Sequence, residues 1–316
     1  MAEQSQIDLV GMSRARYWRV LAFFLAPAVI IYSAFSVYPL LATIVDSFYL
    51  RHQGAPETFN GLGNFYTLLG DTTWSKPFWN AFLNNCLFFV IHMCVQNPIG
   101  LALAALLSLP QLRFRNTYRT LIFMPTMLSV VIIGFVWQLI LSPLWGIWKM
   151  FLGALHLGFL FGPYLGQEHT ALLTIALISV WQFVGIPMIL IYTALLAIPD
   201  ELVDAATVDG LNQWQTFFHV KLPLIWPTIG LVSVLTFVNN FNAFDLIYVV
   251  EGALAGPNFS SDIMGTLFYR TFFGNQLQLG DKTMGSTIAT MMFLFILVGV
   301  MIYLFLIQRR MQRYSF

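Results

Sequence analysis

The chain has 316 residues, of which 58% are hydrophobic and 9% charged, with a formal net charge of +1. Soluble globular domains carry about 25% charged residues, and no folded chain of this size hides that much apolar surface from water. These figures exclude disordered, fibrous and disulfide-rich secreted classes, leave little room for a soluble enzyme, and give no nucleic-acid footprint; a polytopic membrane protein remains.

A spanning helix needs about 20 mostly apolar residues. Six stretches meet this, at about 20–45, 79–108, 119–142, 170–197, 222–250 and 285–308. Pro27, Pro39, Pro98, Pro187 and Pro227 lie inside them, so kinks and tilt are expected. The first stretch is too long for a signal peptide, and Glu3 and Asp8 precede it, so an uncleaved anchor is expected. Cys86 and Cys94 share the second stretch, about 12 Å apart along a helix. That is too far for a bond, and buried free thiols are expected.

Lys and Arg set the orientation. Arg14, Arg16, Arg19, Arg113, Arg115, Arg119, Lys221, Arg309, Arg310 and Arg313 fall on one side. Arg51, Lys76, Lys149, Arg270 and Lys282 are spread over longer loops on the other. The denser side is expected to be cytoplasmic, with both termini there. This divides the chain into a cytoplasmic segment 1–19, a six-span transmembrane domain 20–308 with a cytoplasmic loop at 198–221, and a cytoplasmic tail 309–316. The outer loops lie at about 46–78, 143–169 and 251–284. The apolar, Gly-rich stretch 143–168 reads as an interfacial or re-entrant segment.

The loop between spans four and five has legible local physics. Asp200 after Pro199 is expected to cap a helix, with Glu201 and Asp204 in its first turn, where negative charge suits the dipole. Gly210 supplies a left-handed stop. Asn212 and Gln215 form a capping box for a second short helix, and Pro223 opens the next span. Ala205 and Ala206 allow close backbone approach. Leu202, Val203, Val208, Leu211, Trp214, Phe217 and Phe218 offer more apolar surface than a solvated loop needs. That surface either lies on its own bundle or lipid, or docks a cytoplasmic partner.

The order Asp204-Ala205-Ala206, Gly210, Val220 and Leu222-Pro223 resembles the cytoplasmic "EAA" loop of binding-protein-dependent ABC importer permeases. Ile198-Pro199-Asp200-Glu201-Leu202 and Asp209-Gly210 are similar to the maltose-type sugar permease branch. Asp204 stands where the family has Glu, and Val220 where it has Ile. The likeness extends along the chain: Phe59-Asn60-Gly61-Leu62 with Asn64-Phe65; Asn84; Gly100–Ala104; Arg119-Thr120-Leu121 with Pro125 and Trp137; Trp181, Gly185 and Pro187; Phe241, Asp245–Tyr248 and Gly256-Pro257; Thr266-Leu267, Tyr269 and Phe272; Gly285-Ser286. Ala255 replaces the first glycine of the family's Gly-Gly-Pro.

The resemblance implies an all-α bundle of six transmembrane helices of the type I ABC importer permease kind, in a bacterial inner membrane. It implies that Asp204, Ala205, Ala206, Asp209, Gly210, Val220, Leu222 and Pro223 couple the bundle to a cytoplasmic ATPase. The implied partners are a second homologous permease, two ATP-binding subunits, an external solute-binding protein and a carbohydrate substrate. No cofactor is expected in this subunit. Gly280-Asp281-Lys282-Thr283 breaks the Walker A order, so ATP and Mg belong to the partner ATPase.

Span five contains Asn239, Asn240, Asn242 and Asp245, which are costly in a membrane and face protein or a water-filled path. On one helix Asn239, Asn242 and Asp245 fall within a sector of roughly 120°. They either line a transport cavity or bond helix to helix. The substrate path is assigned to Asn239, Asn240, Asn242, Asp245, Phe241 and Tyr248, with Asp245 expected to pair with a basic outer-loop group. His92, near Gln96 and Asn97, reads as a hydrogen-bonded bundle residue, because a metal site needs partners at set spacings. The rival class is an ion-coupled secondary transporter, which wants ionisable groups at mid-membrane; an intramembrane enzyme would need a nucleophile and base that are not visible.

Overall fold

The computed structural model describes residues 14–51, 56–109, 111–275 and 278–305. Most of the segment 1–19 and all of the tail 309–316, with Arg309, Arg310 and Arg313, lie outside the described residues. Four continuous helices among those residues are long and apolar enough to cross a membrane: Trp18–Asp46, Thr72–Leu107, Ala171–Leu196 and Lys282–Tyr303. Two further spans are bent, Arg115–Met127 with Val130–Leu141 at 95° and Gln213–Leu224 with Trp226–Phe241 at 66°. These are the six expected spans in order. The one sheet among the described residues is a small hairpin, Tyr49–Leu50 with Thr58–Phe59.

The bend in span five agrees with the kink expected at Pro227, while the bend in span three falls at Pro125, where none was expected. In the third span Pro125, which has no N–H, lies in a 3₁₀ turn Met124–Met127, and Ser129 is extended (φ −59, ψ 133). The Leu128 carbonyl freed by the break accepts a bond from Gln182 Nε2 of span four at 3.3 Å. In the fifth span Ile225 leaves helical geometry (φ −90, ψ 2), and Pro227 opens the next helix, a position that suits proline. Pro223 therefore ends the inner segment and does not begin the main helix. That helix stops at Phe241, well short of the expected 250; a separate helix, Asp245–Glu251, follows.

Three apolar clusters form the interior. One joins spans two, three and four to Asp245–Glu251 on the outer side. A second joins spans two, four and five and receives Phe217 and Leu222 of the loop. The third joins spans two and six to the helix Met264–Phe273. Between spans, packing shape replaces the hydrophobic drive that water supplies. A Cβ on Gly100 of span two would sit 3.0 Å from the Pro187 ring of span four, so a larger residue would have to push the two helices apart by a few tenths of an ångström. Span one differs: no residue of its most apolar window is buried, and its outer end, Tyr38–Asp46, meets span six. Cys86 is half-buried and Cys94 exposed, which corrects the expectation that both are covered.

Polar side chains stitch the outer half. On span two, Asn80 Nδ2 donates to the Phe259 carbonyl (2.9 Å), and Asn84 Nδ2 to those of Ser260 and Asp262 (3.0 and 2.9 Å). Fully buried Asn85 donates to the Asn240 carbonyl (2.8 Å) and accepts from the Met264 N–H (2.9 Å). Asp262 is fully buried and holds Arg270 through two 2.6 Å bonds, with Thr266 also bonded to it and the Phe259 ring 4.7 Å from the guanidinium. Asn64 binds the carbonyls of Ser47 and Tyr49, which fixes the outer end of span one.

Asn85→Leu keeps the volume and strips the partners from two buried backbone groups, at about 1–3 kcal/mol each. The midpoint of thermal unfolding in detergent is expected to fall by several degrees. An unchanged midpoint, read by tryptophan fluorescence, would show that those groups have other partners.

Candidate functional site

Two regions answer to the sequence expectations. The first is the inner loop. Its helix runs Asp200–Val208, with Asp200 and Glu201 in the first turn. The N-cap is Pro199 and makes no side-chain bond, so Asp200 is the first helical residue and not the cap. Gly210 takes φ +81; its N–H bonds the Thr207 carbonyl, and the Leu211 N–H bonds that of Ala206. This pair of bonds is a Schellman stop. The capping box of Asn212 and Gln215 then starts Gln213–Thr216, with both reciprocal bonds at 2.9 Å.

Phe217 and Leu222 are half-buried in the inner cluster and anchor the loop. Asp204, Ala205, Asp209, Gly210 and Pro223 are exposed, Val220 is half-buried, and Ala206 is covered by its own chain. Thus only Ala205 of the alanine pair is open to another backbone. Leu202, Val208, Trp214 and Phe218 are exposed, with the Trp214 and Phe218 rings stacked at 6.3 Å. The loop presents a firmly capped helical pair with an uncovered apolar face.

The second region is a cavity of about 390 Å³ beside the end of span five. Asn239, Asn240, Asn242 and Asp245 line it, together with His92 and Gln96 of span two and Ser179 of span four. The break at Asn242–Phe244 makes this wall: Asn242 caps the helix (φ −96, ψ 4) and Phe244 is irregular (φ −155, ψ −55). The single-helix sector argument therefore holds only up to Phe241. Asn239, Asn242 and Asp245 are exposed. Asn240 turns inward; its Nδ2 donates to the Thr236 carbonyl at 2.7 Å, and its Oδ1 is enclosed without a partner among the described residues. Gln96 Oε1 is in the same position.

Phe241 and Tyr248 do not line the cavity. Phe241 packs with Phe237 (4.7 Å) and Phe82 (6.3 Å), and Tyr248 with Phe244 and Tyr269, both at 5.0 Å. Asp245 forms no ion pair among the described residues. His92 bonds the Phe88 carbonyl through Nδ1 (2.8 Å) and Ser179 Oγ through Nε2 (3.0 Å), as expected of a bundle residue. It sits in a π-helical turn, His92–Gln96, a feature frequent at functional sites. The described residues contain no cluster of three or more His, Cys, Asp or Glu able to hold a metal. Sequence reading missed Asn80, Asn85, Asp262 and Arg270. Amides at i and i+4 in an apolar run were the available signal for Asn80 and Asn84.

Six candidate spans, two of them bent, with polar side chains lining a cavity beside the end of span five, suit a membrane transport subunit. The chain belongs to the family of binding-protein-dependent transport system inner membrane components, whose sequence model matches residues 96–313. It is 30% identical to the probable starch degradation products transport system permease protein of Thermoanaerobacterium thermosulfurigenes, over 93% of this chain and 94% of that one. It is also 30% identical to the lactose transport system permease protein of Rhizobium radiobacter, over 83% and 86%. The fold matches a chain of a bacterial ABC transporter for the acidic polysaccharide alginate with a TM-score of 0.77 at 21% identity, over 93% of this chain and 96% of that one.

The loop beyond the cavity holds a titrating group. Gly252, Ala255, Gly256, Asn258 and Phe259 all have positive φ, so Ala255 adopts the left-handed conformation that suits glycine. Glu251 borders this turn, with Oε1 enclosed and unpartnered. Burial pushes its carboxyl up to about 7 from 4.5. The folded state then holds a proton that the unfolded state releases, so the contribution of Glu251 to stability is greatest below about pH 4.5 and is lost as pH rises through about 7. Melting midpoints between pH 5 and 8 should decline in the native protein and stay level in Glu251→Gln; equal slopes would remove Glu251 as the cause.

Proposed function

We propose that the chain is the membrane-spanning permease subunit of an ATP-driven importer for a carbohydrate. The observation that carries this is the exposed set Asn239, Asn242 and Asp245 beside a cavity in a spanning bundle. Asn239 lies about 20 Å along the helix from Trp226. Polar groups at that depth do not face lipid; amides beside aromatic rings suit hydroxyl-rich solutes. Relatives named for starch degradation products, lactose, arabinooligosaccharides and alpha-glucosides support a saccharide cargo.

In this reading the subunit works with a second permease, two cytoplasmic ATPase subunits that use ATP and Mg, and an external solute-binding protein. It lies in a bacterial inner membrane with both termini cytoplasmic. The loop bearing Asp204, Ala205, Ala206, Asp209, Gly210, Val220, Leu222 and Pro223 seats in the ATPase, and ATP-driven closure rocks the bundle as a rigid body. The exposed face of Trp214 and Phe218 supports a protein contact, since aromatic anchors dominate such interfaces.

Uptake should stop on ATP depletion with ion gradients intact; continued uptake would favour the ion-coupled rival. Asn242→Leu removes a cavity amide and is expected to slow uptake about fivefold, the worth of one neutral hydrogen bond. Unchanged affinity and rate would leave Asn242 a purely structural role. Trp214→Ser with Phe218→Ser should weaken retention of the ATPase on the purified permease roughly 30-fold with no change in the permease's own melting. Full retention would place the ATPase contact elsewhere.

A further inference from the structure

The cavity wall, read as a solute path in the preceding subsection, can be sorted by charge, and the inference rests on that reading. Among the described residues no Lys or Arg lines it, and Asp245 is the one carboxylate that does. The Nδ1 of His92 bonds the Phe88 carbonyl and its Nε2 meets the Ser179 hydroxyl, contacts that a neutral ring satisfies. Two outer guanidiniums are engaged elsewhere: Arg270 forks onto Asp262, and Arg51 bonds Asp46 and Glu57. The other polar groups lining the cavity, Gln96, Ser179, Thr236, Asn239, Asn240 and Asn242, are all neutral, and of these Asn239 and Asn242 are exposed amides.

Carboxylates are held by cations or guanidinium forks, and this wall offers neither. Hydroxyls need only neutral donors and acceptors, which the two amides provide. We infer that the path through this subunit selects by charge, taking neutral and amine-bearing oligosaccharides and disfavouring uronate-bearing ones. A solute carboxylate about 10 Å from Asp245, at an effective dielectric constant of about 20, meets a repulsion equal to roughly tenfold discrimination.

The test uses the complete complex, permeases with ATPase subunits, in nanodiscs without the external binding protein. Dissociation constants are measured for three trimers of matched length: maltotriose, the glucosamine trimer and trigalacturonate. The glucosamine trimer and maltotriose are expected to bind at least tenfold more tightly than trigalacturonate. Asp245→Asn should erase most of that ratio. Asn239→Asp, which adds a second carboxylate to the wall, should widen it roughly tenfold and decides the matter where Asp245→Asn fails to assemble. Equal binding of all three trimers, or a ratio that neither variant moves, overturns charge selection and leaves the carbohydrate path standing. Failure of all three to bind the native complex overturns the path itself.

Discussion

A break in a spanning helix leaves backbone carbonyls and N–H groups where no water or lipid can bond them. The fold turns on how span five resolves that problem. Its helix ends at Phe241, and the terminal Asn240 carbonyl is taken by Asn85 of span two. The same amide accepts the Met264 N–H at the start of the outer helix. Gln138 of span three donates to the carbonyls of Val249 and Val250 at the end of the next segment. Single side chains thus replace the missing helical bonds, and the break becomes a fixed feature.

The fixed break and the bent inner end share one element. From the capping box at Asn212 the chain passes through the inner segment, turns 66° at Ile225, and runs as one helix to the cavity wall. That helix has 16 residues, about 24 Å of rise. Phe217 and Leu222 seat its inner end in the same cluster that receives Val232. A push on the loop would therefore reach Asn239 through packed side chains and an unbroken helix, which gives the proposed coupling a rigid path.

Much of this was legible in the sequence, because the signals were local. Apolar runs fixed six spans. Gly210, Asn212 and Gln215 fixed the loop, since caps and left-handed turns depend on residues a few positions apart. The break beside the cavity was not legible. Pro227 announced a kink, but Asn242–Phe244 contains neither proline nor glycine, and the helix end before it is held by Asn85, some 155 positions away. The assignment of Phe241 and Tyr248 to the cavity followed from assuming one straight helix there. The Asp262–Arg270 pair escaped for the same reason: eight residues apart, it reads as ordinary outer-loop charge until burial is known.

Exposure on this chain is of two kinds, and they call for different covers. Phe23, Phe24, Ile30 and Phe35 of span one are open and apolar, and lipid tails or another apolar helix suit them equally. Asn239, Asn242 and Asp245 are open and polar at the depth of the bundle. Lipid cannot cover them without stranding their donors and acceptors. Only water or a second protein surface can, and the cavity beside them holds room for the first. In the proposed assembly, a path formed between two such faces would enclose these groups.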